Sequence, residues 1–187
     1  NPKYAITYVI LFLRGFATGY NIDFSKERTS TMEIERKFTI KHLPSDLDKY
    51  PYVKITQAYL CTDPVMRIRR QDDEYIFTYK GKGLMVREEH NLPLTREAFE
   101  KLLPKAEGHI ISKTRYQIPL QNTAPATSSV TGDLLIELDL FESPSRLIMA
   151  EVEFPNEESA LAFTPPEWFD KDVTNDPAYH NSNMSKQ

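Results

Sequence analysis

The sequence predicts a mainly β domain: a closed, eight-stranded antiparallel barrel with a charged interior and a few short helices packed outside. Three observations carry this reading. Ten Tyr, ten Phe and thirteen Pro against six Gly suit a β-rich domain with stiff connections. Six strand-like runs carry charge at every second position, where an ordinary half-buried strand would place neutral polar groups. The opposite positions of the last two runs are almost wholly apolar, so other elements must cover them, and closure into a barrel removes exposed strand edges.

The first strand, Thr31 to Ile40, contains Glu33-Ile34-Glu35-Arg36-Lys37. As a strand it puts Glu33, Glu35 and Lys37 on one face; as a helix, residues two apart diverge by about 200° and the charges scatter. Pro44 and Pro51 break the connection that follows. The second strand runs from Lys54 to Cys61. Asp63-Pro64 turns the chain into the third, Val65 to Gln71, with Arg67 and Arg69 on one face. The fourth, Tyr75 to Lys80, aligns Ile76, Thr78 and Lys80. The fifth, Leu84 to Leu94, aligns Arg87, Glu89 and Asn91.

Thr95 caps a short helix that Pro104 stops. The sixth strand, His109 to Leu120, aligns Ile111, Lys113, Arg115 and Gln117, and Gln121 to Gly132 forms a flexible hairpin loop. The seventh, Leu134 to Phe141, sets Leu135, Glu137, Asp139 and Phe141 against an apolar face. The eighth, Leu147 to Phe154, does the same with Met149, Glu151 and Glu153. Asn156 caps a second helix, Pro165-Pro166 breaks it, and Trp168-Phe169 packs on the barrel. Residues 172–181 form a last helical turn and 182–187 a frayed tail.

A chain of 187 residues accommodates one domain, and a net charge of −4 argues against a broad nucleic-acid surface. The single cysteine, Cys61, excludes an intrachain disulfide and suits a reducing cytoplasm. The apolar stretch from Tyr4 is interrupted at Arg14, short of the ~20 residues a bilayer span needs, so no membrane segment is expected. Residues 1–31 read as an N-terminal appendage, with the domain at 32–181.

Gathered onto one lumen, the charged faces supply seven acids and seven bases. Burying them requires pairing, hydration or a ligand. Clustered carboxylates suit a hard divalent cation, Mg²⁺ or Mn²⁺, and clustered Lys and Arg suit phosphate oxygens. A metal–polyphosphate satisfies both sets; cross-strand salt bridges on an open, solvated sheet face would satisfy the same pattern without a ligand. Gly81-Lys82-Gly83 lacks the spacing of a P-loop, and no Gly-x-Ser-x-Gly offers an acyl-transfer nucleophile. His42, His90, His109 and His180 show no metal-ligand spacing and read as surface or loop residues. Gln57 and Tyr59 fit either the lumen or ordinary packing.

These pieces, in this order, resemble the CYTH domain, or triphosphate tunnel metalloenzymes: Glu33-x-Glu35-x-Lys37, Gln57-Ala58-Tyr59-Leu60, Arg67-x-Arg69, Lys80, Lys113-Thr114-Arg115-Tyr116, Glu137-x-Asp139 and Glu151-Val152-Glu153-Phe154. The resemblance runs from Met32 to about Asn181. It implies hydrolysis of a triphosphate, most of all inorganic tripolyphosphate as in compact bacterial members. Adenylate cyclase of the same family, thiamine triphosphatase and an inert polyphosphate-binding module are the alternatives. It further implies that Glu33, Glu35, Asp139, Glu151 and Glu153 hold metal. Lys37, Arg67, Arg69, Lys80, Arg87, Lys113 and Arg115 would bind the phosphates, and Glu35, Lys37, Lys113 and Arg115 would be catalytic. No separate general base is identifiable, Glu35 and Glu153 being the candidates, and a monomer or homodimer is expected. Two departures stand out: Asn91 occupies a position expected to be acidic, and the chain lacks the longer helical ending of some relatives.

Overall fold

The structure, a computed structural model, describes residues 31–120 and 134–187. The expected appendage, apart from Thr31, and the expected loop from Gln121 to Gly132 lie outside the described residues. Eight strands close the barrel: β1 (Thr31–Ile40), β2 (Tyr52–Thr62), β3 (Val65–Gln71), β4 (Glu74–Lys80), β5 (Val86–Pro93), β6 (Glu107–Pro119), β7 (Leu135–Ser143) and β8 (Ile148–Glu153). Their order around the wall is β5-β4-β3-β2-β6-β7-β8-β1, closed by antiparallel pairing of β1 with β5.

Two apolar layers lie outside the wall. The outward residues Ile136, Leu138, Ala150 and Val152 are covered by helix α2 (Glu157–Ala162) together with Phe163, Trp168 and Phe169. Asn156 Oδ1 accepts from Ser159 N at 2.8 Å and starts that helix, as expected. Across the barrel, Ala58, Ile68 and Phe77 are covered by Phe99 and Leu102 of helix α1 (Arg96–Leu102), which Thr95 caps.

The C-terminal region departs from expectation. Phe169–Asp172 forms a ninth strand, β9, along the second half of β1. The segment then crosses under the barrel and ends in helix α3 (Asn181–Met184). Residues 182–187 are docked rather than frayed: Met184 and Ser185 are buried, and His109 N donates to Ser185 O at 2.6 Å. Gly108 makes this approach feasible. It has a φ of +70°, and a Cβ there would lie 2.2 Å from the Ser185 carbonyl oxygen.

Candidate active site

Depth along the lumen is set by where each side chain sits on its strand. Ile111, Phe141 and Met149 point inward with the charged residues, but at the end where Val173 and Met184 cross, and with Tyr59 they form an apolar floor. One step above, Lys113, Asp139 and Glu151 are buried; one step further, Glu137 is partly exposed and Glu153 exposed at the mouth. The result is a charged cup with an open mouth.

All of the expected site residues except Asp139 line this cup; Asp139 is fully buried and meets the lining through Lys113 and Arg115. Glu33, Glu35 and Lys37 of β1, Arg67 and Arg69 of β3, Lys80 of β4, Arg87 and Glu89 of β5, Lys113 and Arg115 of β6, and Glu151 and Glu153 of β8 ring it. Gln57 and Tyr59 also line it, with Gln57 Nε2 donating to Tyr59 Oη at 3.1 Å. Burial pushes the Tyr59 phenol up to about 12, so it stays protonated.

Most of the charges are paired. Lys37 bridges Glu151 and Glu35; burial opposes its charge, but the two carboxylates outweigh this and raise its pKa. Lys80 joins Glu33 and Glu89, with oxygens at 2.5 and 2.6 Å. Arg115 is the central tie. Its Nε and Nη2 each meet Asp139 at 2.7 Å, Nη2 also meets Glu151 Oε2 at 2.6 Å, and Nη1 meets Glu137. Lys113 holds Asp139 as well, yet burial and the neighbouring Arg115 lower its pKa. Asp139 and Glu151, expected as metal ligands, therefore have all four oxygens engaged by cations.

Three groups stand outside this pairing. Arg67 and Arg69 form no ion pair among the described residues, and the Nε of each is buried without an acceptor. Burial and the charges of Arg67 and Arg115 push Arg69 down to about 10. Glu153 likewise has no cation. Partial burial and the carboxylates of Glu33, Glu137, Glu89 and Glu35 raise its pKa. The cup thus holds a positive region short of anions and a mouth short of cations.

Among the described residues no three acids converge as a ready-made metal cage. Mg²⁺ typically takes only one or two carboxylates, with phosphate oxygens and water completing its shell. The carboxylate surplus around Glu153 has the donor chemistry for that.

Two contributions went unforeseen. His180, expected on the surface, is buried and lines the cup, its Nε2 donating to Thr174 O at 3.2 Å. Burial and nearby Lys37 lower its pKa, so the imidazole is neutral. Asn181 and Ser182 line the cup beside it, so this tail does help to enclose the site. Gly108, a glycine opening a strand, was the available signal that a close backbone approach occurs there.

The profile of the CYTH domain matches residues 31–154. The chain belongs to the CYTH domain family. Among CYTH relatives, the inorganic triphosphatase of Nitrosomonas europaea is 36% identical over 157 residues, spanning 82% of this chain and 96% of its own length. The inorganic triphosphatase of Acetivibrio thermocellus is 29% identical over 158 residues, spanning 82% of this chain and 93% of its own. A crystal structure of an inorganic triphosphatase superposes on this CYTH barrel with a TM-score of 0.58 at 35% identity, covering 84% of this chain and 96% of that one. Among the described residues no helix is long and apolar enough to cross a membrane.

Proposed function

We propose that this CYTH domain hydrolyses a triphosphate, inorganic tripolyphosphate first of all, with a bound Mg²⁺ or Mn²⁺. One observation carries the reading: the unpaired cations Arg67 and Arg69 and the unpaired carboxylate Glu153 face the same closed-ended cup. A metal–triphosphate supplies both missing charges at once. Inorganic triphosphatases matched over 96% of their own length support the substrate class.

Arg67 and Arg69, with Lys37, Lys80, Arg87, Lys113 and Arg115, neutralise and orient the phosphate chain for in-line attack. Water adds to a terminal phosphorus, the bridging P–O bond breaks, and orthophosphate and pyrophosphate leave. Glu153, with Glu33 and Glu35, would hold the cation, which when bound polarises phosphoryl oxygen and lowers the pKa of the attacking water. Asp139 and Glu151 act by fixing Arg115, Lys113 and Lys37 in place. Glu35 or Glu153 takes the proton from water.

Orthophosphate release from tripolyphosphate, measured with Mg²⁺ or Mn²⁺ beside ATP and thiamine triphosphate, tests the reading. Turnover is expected to be fastest on tripolyphosphate and to stop with chelator. Undiminished turnover after complete metal removal refutes the metal's role, and binding without turnover makes the protein a polyphosphate-binding module.

A further inference from the structure

Arg67, Thr78 and Asn91 form one row across three strands. Arg67 is the register partner of Thr78 between β3 and β4, and Thr78 that of Asn91 between β4 and β5. Thr78 is fully buried. Its hydroxyl donates to Asn91 Oδ1 at 2.7 Å and accepts from Arg67 Nη2 at 3.0 Å. Asn91 Nδ2 in turn donates to Glu89 Oε1 at 2.6 Å. The directions are forced. Glu89 takes the amide's donor end, so the amide oxygen faces Thr78, and the single hydroxyl proton is spent there. What Thr78 offers Arg67 is a neutral lone pair.

We propose that Thr78, oriented by Asn91, is a positioning residue for anion recognition. It fixes the Arg67 guanidinium through a neutral acceptor, so that a substrate phosphate can form the direct ion pair this cation lacks. The other bound cations of the cup, Lys37, Lys80, Lys113 and Arg115, are fixed by carboxylates, which position them but also cancel their charge. Arg67 is fixed without cancellation. The same row gives Asn91 a reason to be an amide. A carboxylate at that position could not donate to Glu89 and would face it as a like charge.

The inference rests on the proposed binding of tripolyphosphate, and the test separates the two. Thr78→Val removes the hydroxyl and keeps the branched shape. It is expected to raise the KM for tripolyphosphate by about tenfold, the scale of one lost hydrogen bond to a charged group, while kcat changes by less than about threefold. Thr78→Ser, which keeps the hydroxyl, is expected to recover most of that loss. In an Arg67→Ala background, Thr78→Val is expected to add less than about twofold, because its target is already gone. An unchanged KM in Thr78→Val, or the same loss in the presence and absence of Arg67, overturns the proposal. If the wild-type protein releases no orthophosphate, the rise in melting temperature on adding tripolyphosphate is read instead. A rise that Thr78→Val reduces and Thr78→Ser restores upholds the positioning role while the hydrolytic reading falls, and a rise that Thr78→Val leaves unchanged overturns it. No rise in the wild type refutes both.

Discussion

Replacing Arg69 by methionine is expected to stabilise the protein while weakening its grip on tripolyphosphate. Arg69 is largely buried, has no ion-pair partner among the described residues, and is held down to about 10 by burial and by Arg67 and Arg115. Such a depression corresponds to about 3 kcal/mol of unfavourable interaction in the folded state. Water in the open cup screens part of it, leaving about 1–2 kcal/mol to be regained when the charge is removed. For a domain of this size that is a rise of about 2–8 °C in melting temperature. The ligand response moves the other way. At a concentration about 100-fold above Kd, tripolyphosphate with Mg²⁺ adds about 2.7 kcal/mol to the wild type. Losing a charge-assisted contact to a desolvated phosphate costs about 2–5 kcal/mol, enough to remove most or all of that gain. Thermal unfolding of both proteins, with and without tripolyphosphate, reads both effects. A variant that melts below the wild type without ligand, or keeps the full ligand-induced rise, refutes the account of Arg69 as an anion-seeking cation.

Glu153→Gln is expected to lower turnover sharply, to regain part of it in excess Mn²⁺, and to leave the melting temperature unreduced, because Glu153 has no cation to lose among the described residues. Arg115→Ala, which strips partners from Asp139, Glu137 and Glu151, is expected to lower both stability and turnover with no recovery by Mn²⁺. Initial rates against Mn²⁺ for the pair, beside their melting temperatures, check this; identical metal titrations refute the division of roles. Acid is expected to destabilise the protein partly through Glu89. Burial opposes its ionisation, but Lys80 and Arg67 outweigh this and hold it at about 2. A depressed carboxyl stabilises the fold above its unfolded value of about 4.3, and that stability is lost as pH falls towards about 2. Melting temperature followed over this range is expected to fall less steeply in Glu89→Gln, and parallel slopes count against the assignment.

Alternation made the wall legible. Period two on β1, β3 and β5 to β8 sorts Glu33, Arg67, Glu89, Arg115, Glu137 and Glu151 onto one side, because successive Cβ atoms point to opposite faces. It carries no information about depth. Met149, Glu151 and Glu153 share a face, yet the first lies in the floor, the second is buried and the third is exposed. Nor does it say which charges are paired. That depends on register between strands distant in sequence, such as Glu35 against Glu153. Thr78 stayed hidden because a single hydroxyl among charges carries no pattern. The floor was illegible for another reason: β9 has only four residues, three of them charged, so nothing in its composition announces a strand. His180 then looked like a surface residue because the segment bearing it had no visible destination.

The segment that crosses under the barrel ties the site to the order of synthesis. Of the barrel strands β1 leaves the ribosome first, and beside β5 it finds its other neighbours much later, in β8 and β9. Pairings so remote in sequence are slow to form. Val173 N donates to Lys37 O, and Lys37 N donates to Thr174 Oγ1 at 3.0 Å, so the backbone that carries Lys37 is itself pinned by residues made after all eight barrel strands. Without those residues, Ile111, Phe141 and Met149 would lack Val173 and Met184 beneath them, and the cup would have no floor. The eight barrel strands alone would enclose an open-ended sleeve of charge; the segment from Phe169 onward makes it a closed cup.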